Sequence, residues 1–186
     1  MNIPLTRGEH SVQRSLVHQR RVTCSGYSRT DGLWDVEGHL IDTATYESNL
    51  ATGTAPPGAP IHEMTIRLTV DVDLHIIDAA ASTLHSPYLV CGEISTAYKE
   101  LIGLQIQPGF TAMVKNRFRR HQGCSHLTEM LPSVATEAFQ LLMPVWSRMG
   151  RPFVMVDSCH ALRADGEVVK EHFPLQYKPR LHEPVR

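Results

Sequence analysis

The stretch "IHEMTIRLTVDV", residues 61–72, constrains the fold more than any other part of the chain. Met64, Ile66, Leu68, Val70 and Val72 alternate with Thr65, Arg67, Thr69 and Asp71. A period of two puts every second side chain on one face of an extended backbone, so this is a strand with one face in a core and the other toward solvent. His62 shares the parity of the apolar residues and points inward at the strand's start. A tight turn near Asp71–Asp73 leads into "LHIIDAAAST", which is expected to pair back as a hairpin.

A second half-buried strand is predicted in "RTDGLWDVEGHLIDTATY". There Trp34, Val36 and Leu40 fall on one parity and Asp35, Glu37 and His39 on the other, after an Asp31-Gly32 turn. Residues 51–60, "ATGTAPPGAP", read as a Pro/Gly-rich loop. Ser86-Pro87 looks like a helix start, with serine as cap and proline in the first turn, and the helix is expected to stop at Gly103. "PGFTAMVKNRFRRHQG" predicts a shorter helix ending at Gly123, whose Lys115, Arg117, Arg119 and Arg120 suit a solvated helix C-terminus. From Leu127 onward, Met130, Leu131, Val134, Ala135, Ala138, Phe139, Leu142 and Val145 mark one broad apolar face of a long helix, with a kink or first-turn break expected at Pro132. "PFVMVDSCHALRADGEVVKEHF" reads as a closing hairpin around Asp165-Gly166.

These segments predict an α+β fold: an antiparallel sheet of about five to seven strands with helices on one face. Residues 1–20 read as an N-terminal arm, free or packed on a partner chain as in a homo-oligomer, and residues 21–186 as a single domain with its core at about 58–145. The 186 residues carry a net charge of −1 and are 42% hydrophobic, an ordinary globular balance with no basic excess for nucleic acid or an anionic membrane. No apolar run is long enough to span a bilayer, and the opening "MNIPLTRGEHSVQRSLVHQRR" lacks the apolar stretch of a signal peptide. The expectation is a soluble cytoplasmic protein with reduced cysteines.

Soft and borderline ligands sit beside ordered elements in four places. His62 opens a strand, Cys91 lies near a helix start, Cys124 and His126 precede the long helix, and Cys159-His160 fall in the late segment. Thiolate and imidazole suit zinc or iron, and a helix N-terminus favours the thiolate. Cys159 and His160 have opposite parity, so a regular strand cannot aim both into one site. Glu93 and Glu129 lie near candidate ligands, and Glu129, three after His126, shares its helix face and reads as an acid–base or supporting group. No phosphate loop and no nucleophile elbow is present.

The order of strand, hairpin, cysteine, helix and cysteine–histidine pair resembles the U-type iron–sulfur cluster scaffold over residues 58–142. "GAPIHEMTIRLTVDVDLHIIDA" looks like its first ligand loop and hairpin, "PYLVCGEISTAYKELIG" like its second cysteine and helix, and "GCSHLTEMLPSVATEAF" like its last ligand pair and helix. The resemblance implies that His62 replaces the scaffold's first cysteine, that Cys91 matches its second and Cys124 its third. Gly123 stands where the scaffold has a histidine, His126 follows instead, and the acid two after the first ligand becomes Met64. That ligand set suits a mononuclear site. The whole chain, through "DGLWD", "IHEM", "PYLVC", "GCSHL" and "DSCHAL", also resembles a bacterial domain family of uncharacterised function, which implies no activity.

The expectation is a metal-binding protein with zinc or iron held by His62, Cys91, Cys124 and Cys159, with His126 and Glu129 as catalytic candidates. Three readings follow: a hydrolase- or lyase-type metalloenzyme on a small molecule, a carrier or scaffold handing metal, sulfur or a cluster to a client protein, and a structural site in an interaction module. Three ligands with an open position favour the first, and a closed four-ligand site, completed by His126 or Cys159, favours the last.

Overall fold

The computed structural model describes residues 12–152 and 155–180. The chain divides into two compact units, one ending at Leu141 and one beginning at Leu142.

The first unit is an α+β fold on a four-stranded antiparallel sheet. Its strands are β1 (His18–Ser28), β2 (Trp34–Ala44), β5 (Pro60–Val70) and β6 (Ile76–His85), in the spatial order β1-β2-β5-β6. A small hairpin, β3 (Ser48–Leu50) with β4 (Gly53–Ala55), interrupts the segment between β2 and β5, within the region expected to be loop. β5 and β6 form the expected hairpin, closed by Asp71, whose Oδ1 accepts from the Asp73 and His75 N–H groups at 2.8 and 2.9 Å. The alternation of β5 is realised: Met64, Ile66 and Leu68 are buried, while Thr65 and Arg67 are partly exposed. β2 matches it with Val36, Leu40 and Ala44 buried. β1 begins three residues inside the expected arm, and residues 1–11 lie outside the described residues.

One long helix covers the inward face. α2 (Ser125–Arg148) buries Leu127, Met130, Leu131, Val134 and Ala138, part of the stripe its spacing predicts. Each such large side chain contributes about 1.5–3 kcal/mol by leaving water. Helix and sheet approach closely at Gly38 of β2, where a Cβ would stand 2.7 Å from Val134 Cγ2. No first-turn break occurs at Pro132. It is the eighth residue of an unbroken α2, and buried Met130, Leu131, Val134 and Ala135 flank it and hold the helix across the missing N–H.

Between sheet and helix, the segment expected to be a helix from Ser86 is instead a 3₁₀ helix over Leu89–Leu101, ending two residues before Gly103. It begins later because the Ser86 hydroxyl donates to the Tyr88 carbonyl instead of capping a first turn. α1 (Phe110–Arg117) follows, with Lys115 and Arg117 in its last turn and exposed, then a single 3₁₀ turn at Arg120–Gln122.

The second unit corrects the expected closing hairpin. Among its described residues there is no strand: His160–Leu162 is a 3₁₀ turn, Glu167–His172 is helix α3, and Pro174–Gln176 is a further 3₁₀ turn. Asp165 is held by Arg163 at 2.8 Å and by Arg180 at 2.5 Å, and Val169 of α3 is buried. Asp165-Gly166 therefore serves as the entry to a helix rather than a hairpin turn. The sheet is extended at its N-terminal end only, by β1 and β2. Among the described residues, no helix is long and apolar enough to cross a membrane.

Candidate metal centre

Three neighbouring strands set out a row of polar side chains on the helix-covered face. Arg20 of β1 stands opposite Asp42 of β2, and Asp42 stands opposite His62 of β5. Parity explains why they meet: Asp42 follows Val36 and Leu40 on the inward register of β2, as His62 precedes Met64 and Ile66 on β5. The fourth member comes from the helix. His126, in the first turn of α2, lies over His62 with ring centroids 4.0 Å apart and planes inclined by 31°.

Asp42 is the hub. Its side chain is 2% exposed. Arg20 grips it with two hydrogen bonds of 2.7 Å, Nε to Oδ1 and Nη2 to Oδ2. The same Oδ2 lies 3.2 Å from His62 Nδ1 and 3.7 Å from His126 Nε2. One ligand atom from each of Asp42, His62 and His126 falls within 4.8 Å of the others. His62 Nδ1 is buried, and its polar neighbour is Asp42 Oδ2 at 3.2 Å, an ion-pair contact without full hydrogen-bond geometry. A buried polar atom with only such a contact is costly.

The charges are set for ligation. Burial pushes the Asp42 carboxyl up, but the Arg20 guanidinium and the two imidazoles outweigh it and hold the group below the usual carboxylate range. Burial pushes both imidazoles down. Asp42 opposes this at His62, while at His126 the neighbouring His62 and Arg20 add to it. The centre thus offers an ionised carboxylate and two neutral rings at neutral pH, the protonation a cation needs.

His62 and His126 also form part of the wall of a pocket of about 550 Å³. Met64, Cys91, Cys124 and His121 share that wall, and Tyr88, Val90 and Ile94 give it an apolar side. Cys124 Sγ is 3.7 Å from Met64 Sδ and 3.8 Å from His126 Nδ1. Its backbone is fixed by buried Tyr98, whose hydroxyl accepts from the Cys124 N–H at 3.0 Å and donates to the Cys124 carbonyl at 2.8 Å. Gly123 permits this turn: a Cβ there would stand 2.5 Å from Phe118 Cβ and 2.7 Å from its carbonyl oxygen.

Five residues singled out by sequence, His62, Cys91, Glu93, Cys124 and His126, therefore border one pocket. Glu129 does not reach His126 in a hydrogen bond. Its side chain is 64% exposed and lies 3.5 Å from Arg20 Nη1. Cys159 belongs to the second unit, where it is exposed ahead of a 3₁₀ turn. Arg20 and Asp42 were missed. The signal for Asp42 was present, since an acid on the apolar parity of a strand must be paired when buried. Arg20 gave none, because β1 shows no alternation.

Residues 18–140 match the domain family described as protein of unknown function (DUF2889). The chain belongs to this family. The DUF2889 match covers about two thirds of the chain and runs from the first residue of β1 to the last residue but one of the first unit. It contains Arg20, Asp42, His62, Cys91, Cys124 and His126, and excludes Cys159. No curated protein and no solved structure matches the chain.

Proposed function

We propose that this chain is a metal-binding protein with a mononuclear centre at Asp42, His62 and His126, acting as a metalloenzyme on a small molecule held in the adjoining pocket. The observation that carries this reading is the convergence of one carboxylate oxygen and two imidazole nitrogens within 4.8 Å, with His62 Nδ1 buried and without full hydrogen-bond geometry. Two imidazoles and a carboxylate suit zinc or iron. Cys91, Cys124 and Cys159, expected as ligands, have no part in this set.

A bound divalent ion would supply Lewis acidity or activate a water, the chemistry of hydrolases and lyases. The chain's own residues do the positioning. Arg20 fixes both Asp42 oxygens, and each oxygen keeps a lone pair free after accepting one N–H. Glu129 steadies Arg20 from solvent. The apolar side of the pocket, Tyr88, Val90 and Ile94, would hold the organic part of a substrate against the histidines.

A second reading is favoured by the bordering of one pocket by His62, Cys91 and Cys124. By the sequence resemblance to the U-type scaffold these positions would match its three ligands, and the protein would carry metal, sulfur or a cluster to a client. Anaerobic titration of Zn(II) and Fe(II), with metal analysis and an absorption spectrum after incubation with iron and sulfide, separates the two. The first reading expects one colourless equivalent of Zn(II), lost in Asp42→Asn and His62→Ala. A brown, sulfide-containing protein that survives Asp42→Asn but not Cys91→Ala would replace it with the second.

A further inference from the structure

The imidazole of His126 has two nitrogens, and they face different chemistry. Nε2 faces the carboxylate of Asp42 at 3.7 Å. Nδ1 faces the thiol of Cys124 at 3.8 Å, and that thiol lies 3.7 Å from the thioether of Met64. Metal–nitrogen and metal–sulfur bonds of about 2.0–2.3 Å, set at trigonal or tetrahedral angles, separate neighbouring donors by about 3.5–4 Å. The two observed separations fall in that range. In the ion-free protein a thiol hydrogen bond joins Cys124 to His126 and core packing sets Met64 beside it; the same three donors stand at ligand spacing on the wall of an accessible pocket.

We infer that Cys124 Sγ, Met64 Sδ and His126 Nδ1 form a second site, selective for a soft monovalent cation, with Cu(I) as its ion. Thiolate and thioether donors select Cu(I) over the harder divalent ions that a carboxylate prefers. Three elements bring the donors together: Met64 from β5, Cys124 from the turn held by Tyr98 and Gly123, and His126 from α2. The site shares His126 with the centre proposed above but not Asp42 or His62, so either can fail without the other. Binding involves no change of oxidation state. The Cys124 S–H bond breaks, its proton goes to buffer, and the sulfur–copper bond forms with copper remaining Cu(I).

The test uses the full chain under argon, with Cu(I) added as its acetonitrile salt and bicinchoninate as the coloured competitor. A Cys159→Ser background removes the exposed thiol that would take Cu(I) by itself. Cys124→Ala, Met64→Leu and Asp42→Asn are compared in that background. Met64→Leu conserves side-chain volume, so the buried position stays filled, and circular dichroism checks each fold. The expected result is one equivalent of Cu(I) in the parent, with affinity reduced more than about tenfold in Met64→Leu and in Cys124→Ala and reduced less in Asp42→Asn, which touches the site only through the other nitrogen of His126. A parent that takes no copper from bicinchoninate would overturn the inference. So would Met64→Leu binding within about twofold of the parent, or Asp42→Asn losing copper as Met64→Leu does, which would put the ion in the carboxylate centre.

Discussion

His62 and His126 lie 4.0 Å apart between ring centroids, their planes tilted by 31°, although one comes from a strand and the other from a helix. Burial makes both rings resist protonation, Arg20 adds to it at each, and His62 adds to it at His126, against the opposing pull of Asp42. Below the ordinary histidine pKa of about 6.5 the unfolded chain therefore takes up protons that the folded chain refuses. Stability from this source is lost as pH falls below that value, and the loss levels off once pH passes the depressed folded-state values. Above it both states are neutral and the effect vanishes. Thermal midpoints of metal-free protein between pH 7 and 5 should fall more steeply for the parent than for His126→Asn. Parallel curves would mean that the rings titrate normally.

Asp42 titrates lower. Its folded-state pKa lies below the usual carboxylate range, so its contribution is present above that range and is lost as pH falls through the lowered value. The acid unfolding of this protein should therefore show two stages, a histidine stage near pH 6 and a carboxylate stage below about pH 4. Asp42→Asn is expected to remove the second stage's Asp42 component and leave the first visible, as read by circular dichroism against pH.

Arg20→Gln leaves a buried carboxylate without its two 2.7 Å hydrogen bonds. Arg20 is itself 39% exposed, so water covers part of the loss. The expected cost is about 1–3 kcal/mol in urea denaturation, with Zn(II) affinity falling about tenfold as Asp42 loses its orientation. A variant as stable as the parent would show that solvent replaces Arg20 fully.

Much of this fold could be read from periodicity, and the limits follow the same physics. β5 and α2 were legible because each buries one face, and burial writes a period of two or of three to four into the sequence. β1 lies at the sheet's edge with nearly every side chain exposed, so nothing constrains its alternation. The segment 152–173 contains the apolar residues of a hairpin, yet Glu167, Val168, Val169 and Lys170 form a short helix entered through Gly166. A run this short fits either period. The site was legible where a residue type is conspicuous, as with Cys124 and His126. Asp42 escaped because its meaning lies in parity, and Arg20 because its partner is set by cross-strand register, which one strand's sequence does not encode.

Gly123→Ala tests the turn into α2. The added Cβ would meet Phe118 Cβ at 2.5 Å and Phe118 O at 2.7 Å, and the latter is backbone that cannot swing aside. The expected cost is about 1–3 kcal/mol in denaturant unfolding, the usual range for overpacking. An unchanged midpoint would mean that the segment relaxes freely.

The final prediction concerns Tyr98, which is fully buried and stacks on Phe118 at 4.5 Å. Its hydroxyl bonds the N–H and the carbonyl of Cys124 and lies 2.7 Å from the Thr128 hydroxyl. One phenolic oxygen thus fixes the residue from which α2 starts. Tyr98→Phe keeps the ring and its packing but strands the Cys124 N–H and the Thr128 hydroxyl among buried groups. The Cys124 carbonyl keeps its helical bond from the Thr128 N–H at 2.9 Å, so the helix should survive. A loss of about 1–3 kcal/mol is expected from the unsatisfied donors. The more specific consequence is at the thiol. With its backbone released, Cys124 should react faster with a thiol reagent such as DTNB, measured in a Cys24, Cys91 and Cys159 to Ser background. A variant that loses stability while Cys124 reacts at the parental rate would assign Tyr98 to core packing alone. A faster rate at unchanged helical content would make it the residue that positions Cys124 against His126.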